Sequence, residues 1–131
     1  NDYVILYKRA YAKKMPKRGD VIVFQSKLKD EKGKDKLLIK RVIGLPEDVI
    51  SVRDNNLYIN GKLYSEDYLN DGITPGFVDD LKVPDGEYFV MGDNRVVSLD
   101  SRSPEVGTIK KGQIKGKAVL RLFPFNKIKR F

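Results

Sequence analysis

The chain is 131 residues long and 40% hydrophobic, enough for a single domain with a substantial core. It contains no cysteine and no histidine, which excludes disulfides, thiolate nucleophiles, thiolate- or histidine-ligated metal sites and any Ser-His-Asp triad. Acid-base chemistry must then fall to carboxylates, tyrosine or a tuned lysine. The formal charge is +8, from 26 Lys and Arg against 18 Asp and Glu, and it favours a polyanion or an anionic membrane surface as a neighbour. Basic residues gather at both ends, in Lys8, Arg9, Lys13, Lys14, Lys17 and Arg18 and again from Lys110 to Arg130, whereas the middle is acidic. No stretch of about 18 apolar residues occurs, so no transmembrane helix is predicted within the chain, and no signal peptide stands at its start. The opening at Asn1, straight into a strand-like run, leads us to expect further sequence upstream.

In chain order, the apolar runs are short, rich in β-branched and aromatic residues, and separated by turn residues, the pattern of an all-β or mainly β domain. Tyr3 to Tyr7 reads as a strand. Pro16, Gly19 and Asp20 then turn the chain into a second strand, Val21 to Ser26, which pairs across the charged tip Asp30 to Lys36 with Leu37 to Ile43. Beyond the breaker Gly44-Leu45-Pro46, Val49 to Arg53 and Asn56 to Ile59 form a hairpin on Asp54-Asn55, and Asn60-Gly61 turns into Lys62 to Tyr64. From Ser65 to Lys82, with Asn70, Gly72, Pro75 and Gly76, the chain reads as an irregular surface excursion and a poor place to seek chemistry. Pro84-Asp85-Gly86 turns into a strand at Tyr88 to Met91. A polar loop follows from Gly92 to Ser103, and Ala118 to Phe123 closes the domain before Pro124.

Two segments ask for more than a structural explanation. In Ile39-Lys40-Arg41-Val42-Ile43 two adjacent cations interrupt an apolar strand. Alternation sends Lys40 to the face of Leu38 and Val42, and Arg41 to the face of Ile39 and Ile43, so one cation lies on an apolar face. A lysine held there loses hydration of its charged form, and its pKa falls from about 10.4, which would make it a general base. If that face is solvated, Lys40 only covers apolar surface with its stem. The second segment, Gly92-Asp93-Asn94-Arg95 through Ser98, Asp100, Ser101 and Arg102, has the composition of a hydrogen-bonded Asp-Arg network. By itself it equally fits a polar turn braced by a salt bridge.

In order along the chain, these segments resemble the boxes of the type I signal peptidase family. Arg18-Gly19-Asp20-Val21-Ile22-Val23-Phe24 is similar to its RGDxVxF strand, Lys40 to Pro46 to its KRxIGxPGD box, and Gly92 to Arg102 to its GDNRxxSxDSR box. The Leu57 to Lys62 hairpin and Ile114 to Lys117 fit as well, so the resemblance covers nearly the whole chain. It implies an all-β domain of coiled, largely antiparallel sheets, and a serine protease with a Ser-Lys dyad and no cofactor. The base would be Lys40, oriented by the Ser98 hydroxyl. Asp100 and Arg102 would be a salt bridge bracing the loop, and Arg41 and Asp93 supporting residues. Substrate would pair with the strand at Leu37, Leu38 and Ile39.

The resemblance also implies that the nucleophilic serine belongs to an SMxPTL box before Asp2, upstream of Asn1, so the chain alone is expected to be inactive. The function implied is removal of signal peptides from exported preproteins. It would occur at a cell membrane, with the domain on the extracytoplasmic side, anionic lipids as neighbours and no nucleic acid partner. An inactive, signal-peptidase-like accessory or chaperone protein of surface-protein or pilus assembly is the alternative. Two departures stand out. Glu47 occupies a position where the box has Gly, so a reshaped turn is expected after Pro46, and Ser103-Pro104-Glu105-Val106-Gly107 replaces an aromatic-Gly segment.

Overall fold

The computed structural model describes residues 3–69, 72–123 and 127–130. Asp2, Asn70 and Pro124, used above as sequence landmarks, lie outside them. The strands in chain order are β1 (Tyr3–Tyr7), β2 (Val21–Lys29), β3 (Asp35–Gly44), β4 (Val49–Arg53), β5 (Asn56–Ile59), β6 (Lys62–Leu63), β7 (Val78–Lys82), β8 (Glu87–Met91), β9 (Ile109–Lys110), β10 (Ile114–Phe123) and β11 (Lys127–Arg130). A 3-10 turn at Lys111–Gln113 joins β9 to β10. Every pairing is antiparallel, as expected for an all-β fold.

One sheet runs β1-β10-β2-β3-β8-β9, with β11 on β10, and a smaller one runs β6-β5-β4-β7. The chain crosses between them at Gly44-Leu45-Pro46. A side chain at Gly44 would place its Cβ 2.9 Å from both Ile50 Cδ1 and Phe89 Cβ, so glycine is what lets the sheets approach here. Ile43, Ile50, Val52, Leu57, Ile59, Val78, Val83, Phe89 and Met91 fill the space between the sheets. On the other face of the larger sheet, Ile22, Phe24, Val42, Tyr88, Val90, Val106 and Ile109 form a second core. Strands β3 and β8 alternate between these cores: Val42 and Val90 pair and face one, while Ile43, Phe89 and Met91 face the other.

The turns follow their residue chemistry. Asp54 and Asn55 both take positive φ, 52° and 65°, which gives the hairpin the twist its strands need. Glu47 keeps a positive φ of 74°, its N–H bonded to Val83 O at 2.8 Å. A non-glycine residue here carries the left-handed conformation, at a cost of about 1 kcal/mol or more.

Two expectations need correction. The excursion from Ser65 to Lys82 ends in β7, which pairs with β4 through Ile50↔Leu81 and Val52↔Val78. Its alternation is broken by an irregular register, with Asp80 at φ 43°, so Val-Asp-Asp-Leu-Lys does not look like a strand. The closing strand begins at Ile114, not Ala118. The polar Lys115-Gly116-Lys117 hid its first half, which pairs with β2.

Gly44→Ala should overpack the seam between the sheets and destabilise the fold by about 1–3 kcal/mol, read as a lower midpoint in urea with an unchanged slope.

Candidate active site

Lys40 sits opposite Ile22 in the β2-β3 ladder, on the face that carries Leu38 and Val42. It is half-buried, and among the described residues its ammonium makes a single hydrogen bond, donating to Ser98 Oγ at 2.9 Å with no carboxylate in salt-bridge contact. Burial is the main reason its pKa is lowered. Arg102 and Lys36 lower it further, and Asp100 opposes them. Snorkelling into solvent is thus not its state.

Arg41, one residue on, also lies against a core, because β3 is covered on both faces. It is paired opposite Met91, and its side chain is only 11% exposed. Asp93 answers this charge with a two-pronged contact, Nε to Oδ1 at 2.9 Å and Nη2 to Oδ2 at 2.7 Å. Arg41 also donates to Gly19 O at 2.9 Å and lies 3.9 Å from the centre of the Tyr68 ring.

The loop between β8 and β9 supplies Ser98 and is fixed along its length. Ser101 closes it onto β8 by exchanging two bonds with Val90: Ser101 N–H to Val90 O at 3.0 Å, and Val90 N–H to Ser101 Oγ at 2.9 Å. Asp100 is buried. It accepts from Gly92 N–H at 3.0 Å and from Arg102 Nε and Nη2 at 2.9 and 2.8 Å. Arg102 in turn donates to Pro75 O and Arg95 O. At Gly92 space decides the residue, since a Cβ there would stand 2.1 Å from Ser98 Oγ and 3.4 Å from Lys40 Nζ. Lys40 and Ser98 meet only because nothing projects from Gly92.

Leu37, Leu38 and Ile39 form the stretch of β3 just before Lys40. They pair with Gln25, Phe24 and Val23 of β2 on one edge, whereas pairing with β8 begins only at Arg41. The other edge carries no strand among the described residues. Leu37 is exposed, and Leu38 is half-buried against the second core. All the residues singled out in the sequence thus occupy one region.

Peptidase S26, described as signal peptidase, matches residues 1–123 as a family model. The chain belongs to the signal peptidase S26 family. Signal peptidase I of Bacillus licheniformis is 42% identical over 123 residues, covering 87% of this chain and 63% of that protein. Signal peptidase IB of Staphylococcus aureus is 40% identical over 129 residues, covering 86% and 63%. A crystal structure of a signal peptidase I from Enterococcus faecalis superposes with a TM-score of 0.64 at 38% identity, covering 79% of this chain and 97% of that one. The chain spans less than two thirds of the length of these curated relatives.

Sequence reasoning passed over Glu66 and Tyr68, and gave Arg95 no role within its box. Arg95 and Glu66 form an ion pair with both side chains 1% exposed, and Tyr68 donates its hydroxyl to Glu66. No local pattern marks these residues: Glu66 lies 29 positions from Arg95, in the segment read as a plain excursion.

A half-buried lysine with no carboxylate in contact among the described residues contributes little or nothing to stability. Lys40→Met, of similar length and apolar, should leave folding stability at pH 7 unchanged or raise it by about 1 kcal/mol, as measured by chemical denaturation.

Proposed function

We propose that this chain is the catalytic domain of a signal peptidase I, a serine endopeptidase with a Ser-Lys dyad that removes signal peptides from exported preproteins. Lys40 carries the reading: a lysine beside an apolar core, hydrogen-bonded to one hydroxyl, unneutralised, and placed where an open strand edge ends. A group in that position titrates toward neutrality and serves as a base where histidine is absent.

In this reading the nucleophile is a serine of the SMxP box, N-terminal to Asn1, so residues 1–131 by themselves hydrolyse nothing. Neutral Lys40 takes the proton from the serine hydroxyl as its oxygen attacks the scissile carbonyl. The resulting ammonium gives that proton to the departing amine, leaving an acyl-enzyme. Lys40 then takes a proton from the water that attacks the ester and returns it to the departing serine oxygen, which frees the serine and leaves the lysine neutral. Ser98 holds Nζ in place throughout, and the Asp100–Arg102 and Arg41–Asp93 pairs hold Ser98 and β3.

Substrate binds as an added strand along Leu37, Leu38 and Ile39, where main-chain bonds supply affinity and shallow apolar pockets select side chains. Leu38 or Ile39 lines a pocket there, and the pockets select small residues at the first and third positions before the cleaved bond. The domain works on the extracytoplasmic side of a cell membrane, where its charge of +8 favours anionic lipid. No helix among the described residues is long and apolar enough to cross a bilayer, and the attraction is not an anchor.

The test is to extend the protein N-terminally through the SMxP box and follow cleavage of a peptide bearing a signal-peptide site. Lys40→Ala should lose at least about 100-fold in kcat/KM, and equal cleavage by the variant would rule out the dyad. The sign of the pH effect follows from the protonation states. Below its pKa Lys40 is already protonated and cannot act, so kcat/KM should rise with pH through that value. Because the pKa is lowered by burial, the rise should lie below the ordinary lysine value of about 10.4. A replaced serine and no cleavage would instead favour the inactive accessory protein.

A further inference from the structure

We infer that Glu66 is a positioning residue for Lys40, reaching the site through two arms and setting the Lys40–Ser98 geometry from outside the sequence boxes. The inference deepens the proposed function and rests on it.

The first arm runs through the loop. Both carboxylate oxygens of Glu66 accept from Arg95, Oε1 from Nη1 at 2.7 Å and Oε2 from Nη2 at 2.6 Å. Thus oriented, Arg95 gives its Nε–H to Gly92 O at 2.7 Å and a further bond to Thr74 Oγ1 at 2.9 Å. Gly92 is the residue whose α-carbon underlies Ser98 Oγ and Lys40 Nζ. The second arm runs through the strand. Glu66 accepts the Tyr68 hydroxyl, and the Tyr68 ring lies against the guanidinium of Arg41, the neighbour of Lys40 in β3. One carboxylate therefore fixes both the surface on which Ser98 rests and the strand from which Lys40 projects. With both partners of the Glu66–Arg95 pair sealed from water, loss of the carboxylate leaves a buried guanidinium uncompensated, and Arg95 has to move. Gly92, bonded to it, moves with it.

A charge effect and a positional effect on Lys40 have opposite signs. Removing a negative charge makes the surroundings more positive and moves the Lys40 titration to lower pH. Loosening Gly92 and Ser98 admits water to Nζ, relieves the desolvation that dominates its shift, and moves the titration to higher pH. The other charged groups that act on Lys40 are Asp100, Arg102 and Lys36, and the substitution leaves the identity of all three unchanged.

The experiment compares wild type, Glu66→Gln and Tyr68→Phe. Lys40 is titrated by NMR with carbon-13 lysine in the 131-residue chain, its signal assigned by its absence in Lys40→Met, and peptide cleavage is measured in the N-terminally extended protein. For Glu66→Gln the Lys40 midpoint should move to higher pH. Its kcat should fall on the order of 10- to 100-fold, with KM held within about twofold because the Leu37 to Ile39 edge is untouched. Tyr68→Phe removes one hydroxyl and no charge, and should show the same direction with a smaller shift. A midpoint unmoved or moved to lower pH overturns the inference, as does a fall in kcat that only tracks the folded fraction. If Glu66→Gln does not fold, the Tyr68→Phe midpoint decides alone. If the wild-type extended protein fails to cleave, the proposed function falls, while the Lys40 titration still judges the role of Glu66.

Discussion

The site depends on how charge is distributed among five cations, one of which has no carboxylate partner among the described residues. Arg18 pairs with Asp48, Arg41 with Asp93, Arg95 with Glu66 and Arg102 with Asp100, so four carboxylates are taken by four guanidiniums. Arginine suits that role: its fork matches a carboxylate and it does not lose its proton, so each carboxylate stays committed. Lys40, adjacent to Arg41 in the same strand, makes its one bond to a neutral hydroxyl. Were Asp100 free of Arg102, its charge would be available to hold the ammonium protonated. The Asp100–Arg102 pair thus acts on the lysine by committing the carboxylate that opposes the lowering of its pKa.

Such an arrangement contributes little to stability. Buried ion pairs gain roughly what their desolvation costs, and the half-buried Lys40 gains no ion pair to offset its own. The cores on the two faces of β3 and β8 supply the difference, with Phe24, Val42, Phe89 and Met91 wholly buried. What the ion pairs do provide is direction. Three of them hold the loop to other segments: Asp93 pairs with Arg41 of β3, Arg95 with Glu66 of the excursion, and Arg102, paired with Asp100, also donates to the backbone at Pro75. A loop so held can present Ser98 at one place.

Much of this could be read from the chain. The turns at Asp54-Asn55 and Asn60-Gly61 announce themselves because short polar side chains and glycine tolerate the left-handed region. Lys40 was conspicuous as a cation in an apolar run, and alternation placed it correctly with Leu38 and Val42. Alternation required one of the two cations to lie on an apolar face; Lys40 does, and Arg41, on the other face, is paired opposite Met91 and lies over the Tyr68 ring, so β3 is covered on both faces. The sign of that was in β8, where Tyr88 to Met91 is apolar at every position, as a strand covered on both faces must be. Strand β7 stayed hidden because Asp79 and Asp80 face solvent and its register slips. Glu66 and Tyr68 stayed hidden for a different reason: a buried ion pair between distant segments leaves no periodic trace, and glutamate in a polar stretch looks solvated until its partner is known.

The pairing of β3 adds a last constraint. From Arg41 to Gly44 the strand is bonded to β8, and at Arg41 and Val42 its other edge is bonded too, to Val21 and to Gly19 and Asp20, which holds the half that carries the charged pair. From Leu37 to Ile39 it is bonded to β2 alone, and main-chain groups on the free edge remain open to an incoming strand. Lys40 stands at the boundary between the two halves. A peptide laid along the free edge must stop where β8 begins, because that edge is already occupied from Arg41 onward. In the proposed reading, the strand pairing that creates the core thus also sets how far a substrate can advance, and it ends the substrate's path beside Lys40, whose ammonium meets no carboxylate among the described residues.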